Sequence, residues 1–426
     1  MNVTLSGAAR GVAQAPPSKS LAHRAVLCAA LAEGTSRVEN LQWSADVSAT
    51  LQAARDFGAH VKQIEGGAII TGCGWPKLPQ GPVDCGESGS TLRFLAPILA
   101  QTGGEVRLLG HGRLPQRPQQ IYADLFRQKG ARFEQDDTGI RLQGPLPGGE
   151  YTLRGDVSSQ FISGLLFALP LADEDSVIRV QHPFESRSYV GLTLAALADF
   201  GVQVHPCEGE GETTFSVEGG QRYRPFDFRV EADWSNAAFP AVLGAIAGGV
   251  QVAGLSRSSA QGDGVILDIL ARCGASFHWD QAGRLCFEPA RLQGCVIDLA
   301  DCPDLGPILM VLALFCQGTT RIEHAGRLRI KESDRIEAMA AELAKFGGQV
   351  RQLDADTIEI EGCRLQAPAQ PVDSHNDHRV VMACAVAALA AGVPVTLADA
   401  GAVAKSWPGF FDQLEELGAK VVRTDE

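Results

Sequence analysis

The 426-residue chain is short of positive charge: 37 Lys and Arg stand against 50 Asp and Glu, a net charge of −13. That balance argues against a nucleic-acid partner, so any basic site must be a local cluster on an acidic background. Paired cysteine motifs are missing too. The eleven cysteines, an odd number, form no CxxC and no Cys/His metal spacing. Cys28, Cys316 and Cys384 lie in apolar runs, as reduced core residues do. There is no GxGxxG following a strand and no P-loop, which disfavours dinucleotide redox and ATP chemistry; no metal and no cofactor is expected. The opening residues, Met1-Asn2-Val3-Thr4-Leu5, lack the basic and apolar regions of a secretory signal. The longest apolar runs, about a dozen residues, are too short to span a bilayer. A cytoplasmic protein without membrane partners is expected. What the chain does have is 45% hydrophobic and 20% charged residues, ordinary for a soluble enzyme of two large domains or several smaller ones.

A repeat organises the chain. An apolar residue or lysine, then Gly, then a small residue ends six helical patterns, at Gly58, Gly130, Gly201, Gly274, Gly347 and Gly418. Successive glycines are 72, 71, 73, 73 and 71 residues apart. Each suits a left-handed position just past a helix, before a turn into a strand. Apolar helices are expected upstream at 20–32, 90–101, 159–172, 235–247, 304–316 and 378–391, each followed by a short strand and an amphipathic helix. Hairpins follow the glycines, as at 61–64 with 68–71 and 350–353 with 357–360. The sixth copy stops at Val421-Val422. Residues 3–5 are therefore expected to supply its return strand. Apolar helices must pack inward with sheets outside, giving an α/β (α+β) protein of six βαβαββ-type repeats in two lobes of three. One lobe is expected at 18–231, the other at 1–17 with 232–426, completed by the N-terminal strand.

Polar residues interrupt this plan at the starts of the apolar helices. Pro16-Pro17-Ser18-Lys19-Ser20 leads through Arg24 into a run with no further polar residue for more than two turns. Cations at a helix N-terminus oppose its dipole. Either Lys19 and Arg24 are solvated charges on a fraying end, or an anion sits among them. The other starts read Glu87-Ser88-Gly89-Ser90 to Arg93, Ser158-Ser159-Gln160, Asp233-Trp234-Ser235-Asn236, Asp304, and Asn376-Asp377-His378-Arg379. Gly86 and Gly89 allow a ligand close to the backbone. Each alone is an ordinary helix cap; together, in one repeated frame, they favour a shared anion pocket. Lys331 and Arg335, four apart in Lys331-Glu332-Ser333-Asp334-Arg335, would share one helix face. Arg117 and Lys405 each shortly precede a proline. Lys19, Arg24, Arg117, Lys331, Arg335, Arg379 and Lys405 make seven cations without obvious local partners. A small, multiply anionic substrate follows. Asp304, Glu332 and His378 are the acid–base candidates; His378 equally suits a core histidine. Burial and nearby cations push the Asp304 pKa in opposite directions.

Taken together, Pro17-Ser18-Lys19-Ser20 to Arg24, Gly86 to Gly89-Ser90 and Arg93, Arg117-Pro118, Ser158-Ser159-Gln160, Pro303-Asp304, the 331–335 string, the 376–379 string and Ala404-Lys405 resemble the motif series of the EPSP synthase family, in order and over essentially the whole chain. The resemblance implies a two-lobed enolpyruvyl-transferase fold. It also implies transfer of the carboxyvinyl group of phosphoenolpyruvate to the 5-hydroxyl of shikimate 3-phosphate, on the route to chorismate and aromatic amino acids. By the same resemblance, Lys19, Ser20, Arg24, Ser158, Ser159, Gln160, Ser186, Asp304 and Lys331 would hold shikimate 3-phosphate. Lys19, Gly89, Arg117, Gln160, Arg335, Arg379 and Lys405 would hold phosphoenolpyruvate. Asp304 would take the hydroxyl proton and Glu332, assisted by Lys19, would serve C3. The expected partners are these two substrates alone, acting on a monomer. The chain departs from the commoner family pattern at Glu87, Ser90-Thr91 and Arg327, which bears on the family's response to the inhibitor glyphosate. The related transferase acting on UDP-N-acetylglucosamine usually carries a reactive Cys on the loop of its second unit; residues 109–122 here contain none. A non-catalytic anion-binding repeat protein would need the cations but not Asp304 and Glu332.

Overall fold

The computed structural model describes residues 1–424. The chain divides into two compact units, Met1–Ser18 with Ala232–Glu426 and Lys19–Glu231. Each has its own hydrophobic core.

Among the described residues there are six four-stranded sheets, all with one pairing pattern: a parallel pair, then two antiparallel neighbours. In the Lys19–Glu231 unit, for example, Gly149–Arg154 runs parallel to Ser176–Gln181, which pairs antiparallel with Glu212–Val217. The strand Asn2–Ser6 lies between Val395–Ala398 and Lys420–Thr424, antiparallel to both. That third sheet position is filled in the other five sheets by a strand close in sequence.

Six helices carry almost no polar surface: Lys19–Leu31, Gly89–Ala100, Ser159–Ala168, Trp234–Ala247, Gly306–Leu314 and His378–Ala391. The segments expected at 159–172 and 304–316 each combine an α-helix with a 3-10 turn, at Leu169–Leu171 and Pro303–Leu305. Six further helices, ending at Asp56, Gln128, Asp199, Arg272, Lys345 and Glu416, bury one face. The glycine past each has positive φ, from 72° to 112°, a conformation that would strain any side chain.

Close packing of the apolar helices depends on small residues. A Cβ on Gly164 would lie 2.1 Å from the Tyr122 hydroxyl and 2.5 Å from the Arg93 carbonyl oxygen. Pro97, inside the helix Gly89–Ala100, has no N–H to offer that carbonyl, and the Tyr122 hydroxyl donates to it instead at 2.8 Å. The same hydroxyl reaches the Phe161 carbonyl at 3.1 Å, tying two buried helices together.

Candidate active site

In the Lys19–Glu231 unit the polar residues gather at the N-terminal ends of the apolar helices. Lys19 opens its helix and pairs with Asp46 at 2.8 Å, from the first turn of Ala45–Asp56. Arg24 is one turn further in, 3% exposed. It donates to Thr193 Oγ1 at 2.9 Å and to the Ser20 and Tyr189 carbonyls at 2.7 Å each, with its guanidinium over the Phe94 ring. Burial pushes its pKa down to about 10. His23, buried between these cations, is held well below its ordinary value by burial and by the charges of Lys19 and Arg24, so it is neutral at pH 7. Its Nδ1 joins a hydroxyl chain through Thr50 at 2.7 Å, Thr91 at 2.6 Å and Ser88 at 2.7 Å.

The second and third apolar helices are bridged by one arginine. Arg93 donates to Gln160 Oε1 at 2.8 Å and to the Pro118 carbonyl at 3.0 Å, with its guanidinium 4.6 Å from the centre of the Phe161 ring. Gln160 in turn donates to Ser90 Oγ at 2.9 Å, and Ser158 caps its helix by accepting from the Gln160 N–H. Gly89 backs onto Arg117: a Cβ there would lie 2.6 Å from Arg117 Nη1. Ser159 is buried in the first turn of its helix. Ser186, also buried, precedes the helix Arg187–Asp199 with φ 53°. Except for Ser186, the expected residues of this unit therefore cluster on three helix starts and the 113–119 turn.

The other unit holds a denser charge cluster. Lys331 Nζ and Arg335 Nη1 both reach Asp304 Oδ1 at 3.1 Å. Arg379 donates to Asp304 Oδ2 at 3.2 Å and to its carbonyl at 3.0 Å. Arg335, 1% exposed, also pairs with Glu332 at 2.8 Å and with Asp377 at 2.8 Å. Lys405 donates to the carbonyl and side chain of Asn376, the latter at 2.7 Å. Lys331, Arg335 and Arg379 thus face Asp304, Glu332 and Asp377, three cations against three carboxylates. Burial pushes the Asp304 carboxyl up, but Arg379, Lys331 and Arg335 together outweigh it and hold the group well below the usual range. Asp377 is likewise held low, burial being overcome chiefly by Arg335. Lys331 is lowered by burial, which Asp304 offsets only in part.

The seven cations find most of their partners in distant segments, given above for Lys19, Arg24, Lys331, Arg335, Arg379 and Lys405, and the Gly89 backbone packs against Arg117. One expectation is corrected. The helix is Arg335–Lys345, capped by Asp334, so Lys331 precedes it and shares no helix face with Arg335. They meet through Asp304, because Lys331 is extended (φ −87°, ψ −157°) at the end of the turn Gly326–Ile330. His378 is buried, its Nδ1 3.9 Å from Asp377 Oδ1, as a core histidine would be. Residue-by-residue reading passed over Asp46 and gave no role to Arg93 or Asp377. Each is the counterion or brace of a residue it did single out.

A protein-family model for EPSP synthase (3-phosphoshikimate 1-carboxyvinyltransferase) matches residues 3–414. A 3-phosphoshikimate 1-carboxyvinyltransferase of Clostridium botulinum (strain Alaska E43 / Type E3) is 38% identical over 419 residues, 97% of this chain and 96% of the relative. One from Clostridium beijerinckii is 39% identical over 421 residues, with the same coverage. Among solved structures, an EPSP synthase from Acinetobacter baumannii superposes with TM-score 0.80 at 28% identity, covering 99% of this chain and 100% of that one. The enolpyruvyl transferase NikO from Streptomyces tendae, 18% identical with TM-score 0.77 over 99% of this chain and 98% of its own, shares the fold. No helix among the described residues is long and apolar enough to cross a membrane, and no group of three or more His, Cys, Asp or Glu among them could hold a metal ion.

Proposed function

The chain belongs to the EPSP synthase (3-phosphoshikimate 1-carboxyvinyltransferase) family, and from that premise we infer how its polar residues divide the work of the family reaction. Phosphoenolpyruvate gives its carboxyvinyl group to the 5-hydroxyl of shikimate 3-phosphate, and phosphate leaves. Lys19, Ser20, Arg24, Ser158, Ser159, Gln160, Ser186, Asp304 and Lys331 hold shikimate 3-phosphate. Lys19, Gly89, Arg117, Gln160, Arg335, Arg379 and Lys405 hold phosphoenolpyruvate. Arginine suits this task because its planar fork grips carboxylate and phosphate at two points.

The observation that carries the reading is the convergence of Lys331, Arg335 and Arg379 on one carboxylate, Asp304. Alone, that arrangement makes Asp304 a poor base, since three cations hold its proton affinity down. Incoming phosphate and carboxylate groups compete for the same cations. As they take hold, the charges that depress Asp304 are shared out and its proton affinity rises, so it becomes a better base when substrates are bound. Asp304 then takes the 5-hydroxyl proton as the oxygen attacks C2. Glu332, with Lys19, delivers a proton to C3. As phosphate leaves C2 of the tetrahedral intermediate, Glu332 takes a proton back from C3 so that the double bond re-forms, the proton on Asp304 passes to the departing phosphate, and the cations steady the charge that develops. The two substrates are the proposed partners, in a cytoplasmic monomer.

The test is phosphate release from phosphoenolpyruvate by purified protein, with shikimate 3-phosphate, UDP-N-acetylglucosamine or no acceptor, and no added nucleotide triphosphate. Release only with shikimate 3-phosphate is expected. Release only with the nucleotide sugar would replace the acceptor, and silence from folded protein with both would end the catalytic reading.

A further inference from the structure

Three sulfur atoms meet in the Ala232–Glu426 part of the chain, at positions the proposed reaction does not use. Cys273 caps the helix Ile266–Arg272, Cys295 immediately precedes the strand Val296–Asp298, and Cys316 follows the helix Gly306–Leu314. Main-chain bonds hold these segments side by side: Gln293 N–H to the Cys273 carbonyl at 2.8 Å, Gly294 N–H to the Gln317 carbonyl at 2.8 Å, and Arg321 N–H to the Cys295 carbonyl at 3.0 Å. The Cys273 and Cys295 sulfurs are 3.4 Å apart, and the Cys316 sulfur, which faces the Leu312 carbonyl at 3.4 Å, is a further neighbour of Cys273. Cys273 and Cys316 are buried, whereas Cys295 is partly exposed. Arg272 donates to the Val296 carbonyl at 3.0 Å, and its charge partly offsets the upward push on the Cys295 thiol.

We propose that Cys295, Cys273 and Cys316 form an oxidisable thiol site, which a hydroperoxide entering at Cys295 converts to a Cys273–Cys295 disulfide. The Cys295 thiolate attacks the peroxide oxygen, giving a sulfenic acid and releasing the other oxygen as hydroxide or alkoxide. The Cys273 sulfur then displaces the sulfenic hydroxyl, forming the disulfide and water. Both thiol protons end in water or alcohol, and the two electrons lost by sulfur reduce the peroxide. The sulfurs need to close by about 1.4 Å to reach bonding distance. Cys316, whose thiol the neighbouring Cys273 sulfur holds below its usual pKa despite burial, can next attack the Cys273 sulfur. That exchange yields a Cys273–Cys316 disulfide and returns Cys295 as a thiol. Cys273 is thus shared between two alternative cross-links. The Cys295 thiol is held up by its hydrogen bond to Cys273 and by burial, so oxidation should quicken as pH rises.

The experiment treats the full-length protein with hydrogen peroxide at pH 7 and pH 9, blocks remaining thiols by alkylation, and maps disulfides by mass spectrometry without reduction. Expected are Cys273–Cys295 and then Cys273–Cys316 peptides, forming faster at pH 9 and lost after dithiothreitol. Cys295→Ser should slow the loss of Cys273 alkylation at least about tenfold, and Cys316→Ser should keep only the Cys273–Cys295 link. Both variants should retain wild-type phosphate release, which reports that they fold. If the exposed Cys207 and Cys363 are fully oxidised while Cys273, Cys295 and Cys316 all stay alkylatable, the proposal is wrong. Sulfinic acid on Cys295 beside a free Cys273 would overturn it equally.

Discussion

Replacing Asp304 by Asn removes one negative charge from the cluster of three cations and three carboxylates and keeps the side-chain shape. Two effects of opposite sign should separate. Loss of a positioned base lowers kcat by about 10²–10⁴, or roughly 3–5 kcal/mol of barrier. Meanwhile the three cations lose an internal competitor at 3.1–3.2 Å. At an effective dielectric near 20, each such pair is worth on the order of 5 kcal/mol before the opposing cost of desolvation, so a surviving net gain of about 1 kcal/mol is reasonable. The KM for phosphoenolpyruvate should therefore fall about fivefold, while the KM for shikimate 3-phosphate rises, because Asp304 is also proposed to hold that substrate. Steady-state phosphate release with each substrate varied in turn reads all three numbers. An unchanged kcat, or a phosphoenolpyruvate KM that rises with the loss of turnover, would refute both the base assignment and the competition for cations.

Other perturbations follow from the same contacts. Gly89→Ala would press a methyl against Arg117 Nη1, 2.6 Å from the new Cβ, and should raise the phosphoenolpyruvate KM about tenfold with little change in Tm. Arg93→Lys keeps the charge but cannot span Gln160, the Pro118 carbonyl and the Phe161 ring; kcat/KM should drop about 10²-fold, with CD reporting an intact fold. Asp304 and Asp377 have carboxyls below the usual range. Their stabilisation is thus complete above about pH 4 and lost as pH falls through their folded-state values, and urea midpoints for Asp304→Asn should fall less steeply below pH 4 than wild type. His23 is held neutral, so the unfolded chain gains a proton below about pH 6.5 that the folded chain resists; His23→Gln should narrow the Tm gap between pH 7.5 and pH 5.

The six glycine-ended helices were legible because one physical event, a left-handed residue after a helix, needs one residue type and recurs at nearly fixed spacing. The apolar helices were legible for a similar reason: an unbroken apolar run has nowhere to lie but inside. Contacts between distant segments were not. Nothing near Lys19 in sequence announces Asp46, and nothing near Arg335 announces Asp377, 42 residues on. The apparent surplus of cations reflected only a shortage of local partners. Lys331 and Arg335 illustrate the limit further: spacing of four suggested one helix face, while Asp334 caps the helix after Lys331 and the two meet through a carboxylate 27 residues before Lys331. The sign of the Asp304 shift likewise depended on how many cations reach it, which only the fold determines.

If Asp304, held by three cations, becomes a better base when anionic substrates take them, its carboxyl must titrate higher in the complex than in the free protein. The most direct measurement is the titration of the Asp304 carboxyl by carbon-13 NMR in aspartate-labelled protein, its signal identified by its absence from Asp304→Asn. Spectra would be compared for free protein and for protein saturated with shikimate 3-phosphate and an unreactive phosphonate analogue of phosphoenolpyruvate. Expected are a midpoint well below the usual carboxylate range in the free protein and a rise of at least one pH unit in the complex. A midpoint that stays put, or falls further, would contradict it.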